Sequence, residues 1–459
     1  GDDWIEWSES INATALSDAG SVIVTFASVG ASLGFSGTNS HATSLGIQGG
    51  LNNDVLTGAG GVSSTATATS GVVSVDVSGS GASVSNAETM ITAWSWGVAG
   101  GAGNDTIMDI GPVTSTASAT SGAVGVEVNA LGAAVGNVET NVTADARGVD
   151  GGDGDDVIVI DAMRSVGSVA TATNGATGVA VNLAGAGVQN AAVHVDADAT
   201  GLGGGEGVDG IQNNGTVTAS ATASGRSKSV TVNLLGAALG DASMTADAIA
   251  TGIAGGEGSD TLDNQGTVDV DAASTMNFSS VSFTLAGAAA ADVGDADTVV
   301  TTDATGMSGG DDNDTILNNG ILDIDAVSTL QTGASTVVSI FGHAGTSAIV
   351  SASPQATGID GGAGDDLIEN LDTLDADVTA TAVLTSGSAF TFAGAASDQA
   401  EVTASPTVTG IAGGAGLDTI RNEGSVTVSS TATLNVNSNS NVAFGVASAG
   451  AKTNATATT

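Results

Sequence analysis

The chain contains no cysteine and no tyrosine, only three prolines, and 3% aromatic residues. Without cysteine there is neither a disulfide framework nor a thiolate for a soft metal. The three histidines, His41, His194 and His343, fall at different places along the chain's pattern and read as ordinary surface or turn residues. Zinc and similar ions are therefore disfavoured. Positive charge is almost as scarce: six Lys plus Arg stand against 49 Asp plus Glu, a net charge of −43. Such a surface repels nucleic acid and anionic membranes, so neither is expected as a partner. No stretch has the length and apolarity of a membrane helix, so membrane insertion is not expected either. No 3.6-residue period and no Ser/His/Asp set or paired acids in an aromatic cleft are visible, and the chain is not expected to be an enzyme.

What the chain has in quantity is glycine, 69 of 459 residues, and small apolar side chains; 41% of residues are hydrophobic. That fraction with few charges argues against disorder, and a core of Ala and Val is thin and regular. The glycines recur in a motif, seen in Gly252-Ile253-Ala254-Gly255-Gly256-Glu257-Gly258-Ser259-Asp260-Thr261-Leu262. Its aspartate returns as Asp54, Asp105, Asp156, Asp209, Asp260, Asp314, Asp366 and Asp418, at intervals of 51, 51, 53, 51, 54, 52 and 52 residues. Gly1-Asp2-Asp3-Trp4-Ile5-Glu6 matches Gly364 to Glu369 and adds Asp3 as a ninth copy, cut at its start. One continuous domain, 1–459, of about nine units follows, with units beginning near 1, 46, 97, 148, 201, 252, 306, 358 and 410. The expectation is a slice of a longer array, or a subunit joining head to tail with its copies.

Within a unit, an Asn/Gly turn follows the motif: Asn213-Asn214-Gly215, Asn264-Gln265-Gly266, Asn318-Asn319-Gly320, Asn422-Glu423-Gly424. These Asn runs are expected to be turns or stacked-amide ladders rather than ligands. A period-two strand follows, as in Val217 to Ala223, with Val and Ala on one face and Thr and Ser on the other. A polar turn is expected at Ser224-Gly225-Arg226-Ser227, then a second strand, Val230 to Leu234, and a small-residue corner at Gly236-Ala237-Ala238. The third strand, as in Val193 to Ala199, turns Val and Ala inward and His194, Asp196 and Asp198 outward.

Short strands without helices leave a propeller, a string of sandwiches or a solenoid. Propeller blades need bulkier apolar residues, and a 50-residue β unit buries too little on its own without disulfides. Stacked coils solve both problems. The expected fold is all-β: a parallel β-solenoid, right-handed by the chirality rule. One wide coil per unit is favoured over two of about 26 residues, because it stacks each motif aspartate on the next.

Carboxylates about 5 Å apart repel by roughly 1 kcal/mol in water and roughly 3 at an effective dielectric near 20. Second acids such as Asp155 and Asp365 add to the problem. A cation between rungs would relieve it, and Ca²⁺, which takes six to eight oxygens in flexible geometry, suits carboxylates and glycine-loop carbonyls. Here the residues resemble a known family. G-G-x-G-x-D-x-[IL] is similar to the nonapeptide of the RTX (haemolysin-type) calcium-binding proteins. The resemblance implies several calcium ions held by Asp105, Asp156, Asp209, Asp260, Asp366 and Asp418. It also implies ligand carbonyls from the loop glycines: Gly101, Gly103, Gly152, Gly154, Gly205, Gly207, Gly256, Gly258, Gly362, Gly364, Gly414 and Gly416. The copies ending in Asp54 and Asp314 lack the third glycine. RTX nonapeptides run in tandem, whereas here one occurs per unit, so the resemblance covers about a sixth of the chain. The remainder looks like repeat regions of giant bacterial surface adhesins and matrix proteins.

Trp94 and Trp96 take the places of Asp145 and Arg147 in the next unit and are expected to project outward, as is Trp7, where they could grip a glycan or pack against a neighbouring fibre. Two function classes remain. One is an extracellular, calcium-stiffened fibre, stalk or surface-layer element that self-associates lengthwise or laterally. The other is a bacterial cell-surface adhesin segment or spacer that binds glycans. An enzyme on a β-helix scaffold stands behind both.

Overall fold

The computed structural model describes residues 1–293, 298–333 and 335–459, and among these there is no helix. Every strand pairing is parallel and joins a residue to its equivalent one unit on: Trp4 with Val55, Thr216 with Thr267, Thr267 with Ile321. One unit is therefore one wide coil of a parallel β-solenoid, and the alternative of two narrow coils is excluded.

The motif's own short strand, for example Thr261–Asn264, stacks into a nine-stranded sheet running from Trp4–Trp7 to Thr419–Asn422. The remainder of each coil, as in Thr216–Glu257, builds a second, much larger sheet that folds back on itself. The main core lies inside the coil: Val217, Ala219, Ala221 and Ala223 and Met244, Ala246, Ala248 and Ala250 of the folded sheet share it with Leu202, Ile253, Ile211 and Leu262 at the motif end. The expected inward faces of the first and third strands hold. The expected corner holds too: Gly236 has φ +125° and turns the chain where a Cβ would overlap the carbonyl of Gly185.

The polar turn at Ser224–Ser227 is not there. The strand runs unbroken from Thr216 through the corner to Glu257. Because side chains alternate without interruption, the parity set by Val217 carries on past residue 224. Ser227, Ser229, Thr231 and Asn233 therefore point inward and are buried, while Val230, Val232 and Leu234 point outward. The far lobe of this coil is thus inverted, with a largely polar interior and an apolar exterior, and in later coils Val337, Ala344 and Ala389 join that interior. Its interior is thin enough for hydroxyls and amides to reach the opposite wall: Thr231 Oγ1 donates to the Leu239 carbonyl (2.9 Å), and Asn233 Nδ2 to the carbonyls of Ala237 (2.6 Å) and Gly185 (2.8 Å). Outside, the register makes a ladder of Phe26, Val77, Val128, Val181, Val232, Phe283, Val338 and Phe390.

Trp7 also departs from expectation. It is buried, its ring occupies the space a side chain on Gly58 would need, and its Nε1 donates to the Gly60 carbonyl at 2.8 Å.

Candidate cation-binding column

Each motif aspartate sits where the glycine loop enters the short strand. In the six loops with three glycines, two have positive φ, between +93° and +152°, as Gly256 (+117°) and Gly258 (+122°) do. A side chain on Gly256 would run into the carbonyl of Gly205 one coil away. All twelve loop glycines named above have positive φ, and their carbonyls stack along the coil axis in this way from Gly101 onward. In the two loops lacking the third glycine, Asn52 (φ 76°) and Asp312 (φ 74°) adopt the left-handed conformation instead. Asn and Asp tolerate that region best among non-glycine residues.

The result is an unbroken column. The backbone N–H of each aspartate donates to Oδ1 of the aspartate in the following coil: Asp3 to Asp54 (2.6 Å), Asp54 to Asp105 (2.7 Å), Asp105 to Asp156 (2.6 Å) and Asp156 to Asp209 (2.7 Å). It continues from Asp209 to Asp260 (2.7 Å), Asp260 to Asp314 (2.7 Å), Asp314 to Asp366 (2.8 Å) and Asp366 to Asp418 (3.1 Å). The aspartates from Asp54 to Asp366 are almost wholly buried. In these seven residues Oδ2 has no hydrogen-bond partner. Burial pushes the carboxyls of Asp156 and Asp260 up to about 7 and those of Asp209 and Asp314 up to about 6. The N–H bonds pull these values down in part, and neighbouring carboxylates push them up. Asp105 and Asp366 are raised for the same leading reason.

Asp155 and Asp365 do not join the column. Both are exposed, and each caps the next coil instead: Asp155 Oδ1 accepts from Val208 N–H (3.0 Å) and Asp365 Oδ1 from Leu417 N–H (2.8 Å). The Asn run forms a second ladder, buried from Asn213 to Asn370 and exposed at Asn422. Asn213, Asn264, Asn318, Asn370 and Asn422 pass Nδ2–H to Oδ1 at 2.8–2.9 Å, a stacked-amide ladder as expected.

The test for calcium is the donor set. One unpartnered carboxylate oxygen per coil is buried in register, and the cost of that burial is relieved by a proton or by a cation. The second acid does not contribute to it, and among the described residues no group of three or more acidic, His or Cys side chains converges on one point.

Elsewhere the parity reversal buries groups that sequence patterning missed. Asp76, Glu127 and Gln189 are fully enclosed in the polar lobe, and Oε1 and Oε2 of Glu127 both lack a partner. Counting alternation from Ala117 without a turn would have found Glu127. Trp94 and Trp96 stand opposite Asp145 and Arg147 and take outward positions. Trp94 edges an open groove of about 410 Å³ with Asp145, Asp196, Asp198, Asp247 and Ile249, and His41 meets it edge-on at 5.2 Å. His194 bonds Asp196 at 2.9 Å, and His343 is exposed. Comparison with protein-family models, curated proteins and solved structures finds no match for this chain.

Proposed function

We propose that the chain is a structural element of an extracellular fibre, stalk or surface layer, a rod whose stiffness depends on bound cations, Ca²⁺ first among them. One observation carries the reading: seven buried aspartate oxygens without partners, stacked one per coil. A column of unpaired buried charge is unstable, and repulsion between rungs is roughly 3 kcal/mol per pair at an effective dielectric near 20. A cation held by these carboxylates would discharge the column. Asp54, Asp105, Asp156, Asp209, Asp260, Asp314 and Asp366 are the residues that would hold it. The glycine carbonyls at the loop are the nearest backbone donors by sequence.

The measurement is thermal unfolding at pH 7.5 in excess calcium and in excess chelator, with filament or rod length read by negative-stain imaging. A melting temperature at least ~10 °C higher with calcium is expected. Identical melting in both conditions removes calcium from the reading, and globular particles instead of rods remove the rod.

The groove beside Trp94 favours a second reading, an adhesin surface for a neutral sugar. The indole face would stack on the ring, and Asp196 and Asp247 would accept its hydroxyls. Glycan binding lost in Trp94→Ala with unchanged melting supports this; no binding by the unaltered chain sinks it.

A further inference from the structure

The apolar exterior of the inverted lobe has no place in the reading above. On a chain with 49 acids, the ladders flanking the glycine corner carry none: Val24, Val75, Val126, Val179, Val230 and Val281 form one rung-for-rung line. Their neighbours run from Phe26 (76% exposed) to Phe390 (39% exposed). The exposed phenyl rings Phe341, Phe392 and Phe444 continue the ridge, in edge-on contact at 6.2 and 5.5 Å. Monomers rarely leave a contiguous apolar patch above a few hundred Å². Here about eight rungs at ~4.8 Å, with three outward side chains per strand at ~6.8 Å spacing, give a face of about 40 by 20 Å.

We propose that this ridge is a lateral interface between two copies of the chain lying side by side. Its footprint of about 800 Å² matches what one partner contributes to a standard stable interface. Charge selects the face. Two chains of net charge −43 repel over most of their surface, and the ridge is the side on which carboxylates do not meet. Periodicity selects the partner. Side chains repeating at the coil spacing over successive coils interdigitate rung for rung only with an array of the same rise, and a second copy has it. The polar interior of the lobe adds to the argument: with Ser229, Thr231 and Asn233 inside, the lobe buries little apolar surface by itself, and pairing would bury it from outside. The interface is closed and two-fold, unlike open-ended lengthwise stacking. It does not involve the aspartate column, so it stands or falls independently of calcium.

The test is sedimentation velocity of the full chain from 1 to 100 µM in 0.5 M NaCl, beside the double variant Val179→Glu/Val230→Glu. Both side chains point outward and are half-buried, and unchanged circular dichroism and melting will show that the variant folds. The unaltered chain is expected to dimerise in the micromolar range, and the variant to remain monomeric with affinity weakened at least 50-fold. Because the chain has no cysteine, Val179→Cys adds a single thiol, and a short bismaleimide is expected to link two copies through it. Three results would overturn the proposal: a monomer at all concentrations, equal association of the double variant, or binding to neutral phosphatidylcholine vesicles without any dimer.

Discussion

Asp260 turns Oδ2 onto the α carbon of Gly255, into the volume a methyl group there would occupy, while the carbonyl of Gly309 closes the same space from the next coil. The loop's glycine and the column's aspartate therefore specify each other. Gly255→Ala has to displace either the buried carboxyl or the adjoining backbone, and a loss of about 3 kcal/mol is expected. Gly71→Ala is the control: nothing lies within 4 Å of its added carbon, and its effect should stay within about 0.5 kcal/mol. Urea midpoints of the two variants check this.

Asp260 performs two separable tasks, accepting the Asp209 N–H and carrying charge. Asp260→Asn keeps an acceptor at Oδ1 and removes the charge; Asp260→Ala removes both. Without added cation, the Asn variant should match or exceed the parent in stability. The Ala variant should fall by about 1–3 kcal/mol, because a buried N–H is left unpaired. Equal losses in both, measured in chelator, would show that the charge is no burden.

Glu127 gives the most alkaline part of the pH dependence, above the column aspartates raised to about 6 and 7. Burial, with the Asp76 charge adding to it, lifts its carboxyl to about 8. An unfolded chain ionises this group above about 4.5, whereas the folded chain holds the proton until about 8. Its contribution is therefore complete below about pH 4.5 and is lost as pH rises to about 8, a change on the order of a few kcal/mol. Melting temperature should rise on acidification from pH 8.5 to 5, and Glu127→Gln should flatten that part of the profile. A variant profile parallel to the parent's would assign the dependence elsewhere.

Asn318 donates to Asn370 and accepts from Asn264, both at 2.8 Å. Asn318→Ala leaves a buried Nδ2–H above and a buried Oδ1 below without partners. A loss of about 2–4 kcal/mol is expected, larger than for alanine at exposed Asn313. Denaturant unfolding of the two variants, compared directly, decides it.

The period, the parallel stacking and the glycine loops were legible because each repeats locally and every copy repeats the message of the last. The amide ladder was legible for the same reason: Asn213 through Asn422 keep one phase. The sense of the second strand was not, because Val230-Thr231-Val232 alternates equally well either way up. Which face points inward depends on whether residues 224–227 turn, and they do not. Trp7 was misjudged because its burial depends on a residue one coil away; Gly58, its direct register partner, is the signal that makes room for it. In the column, the sequence shows that the aspartates share one phase but not that Oδ1 is already committed to a neighbour's N–H, which leaves Oδ2 as the oxygen without a hydrogen-bond partner.

The coil-to-coil register has a mechanical consequence. Each ladder bond, from Trp4–Val55 to Asn370–Asn422, points along the direction in which coils accumulate. Tension applied lengthwise loads these interfaces in series, so all carry the same force and the weakest opens first. Stretching such a rod should peel it layer by layer in small, evenly spaced steps, each releasing one unit of chain, instead of rupturing it in a single event.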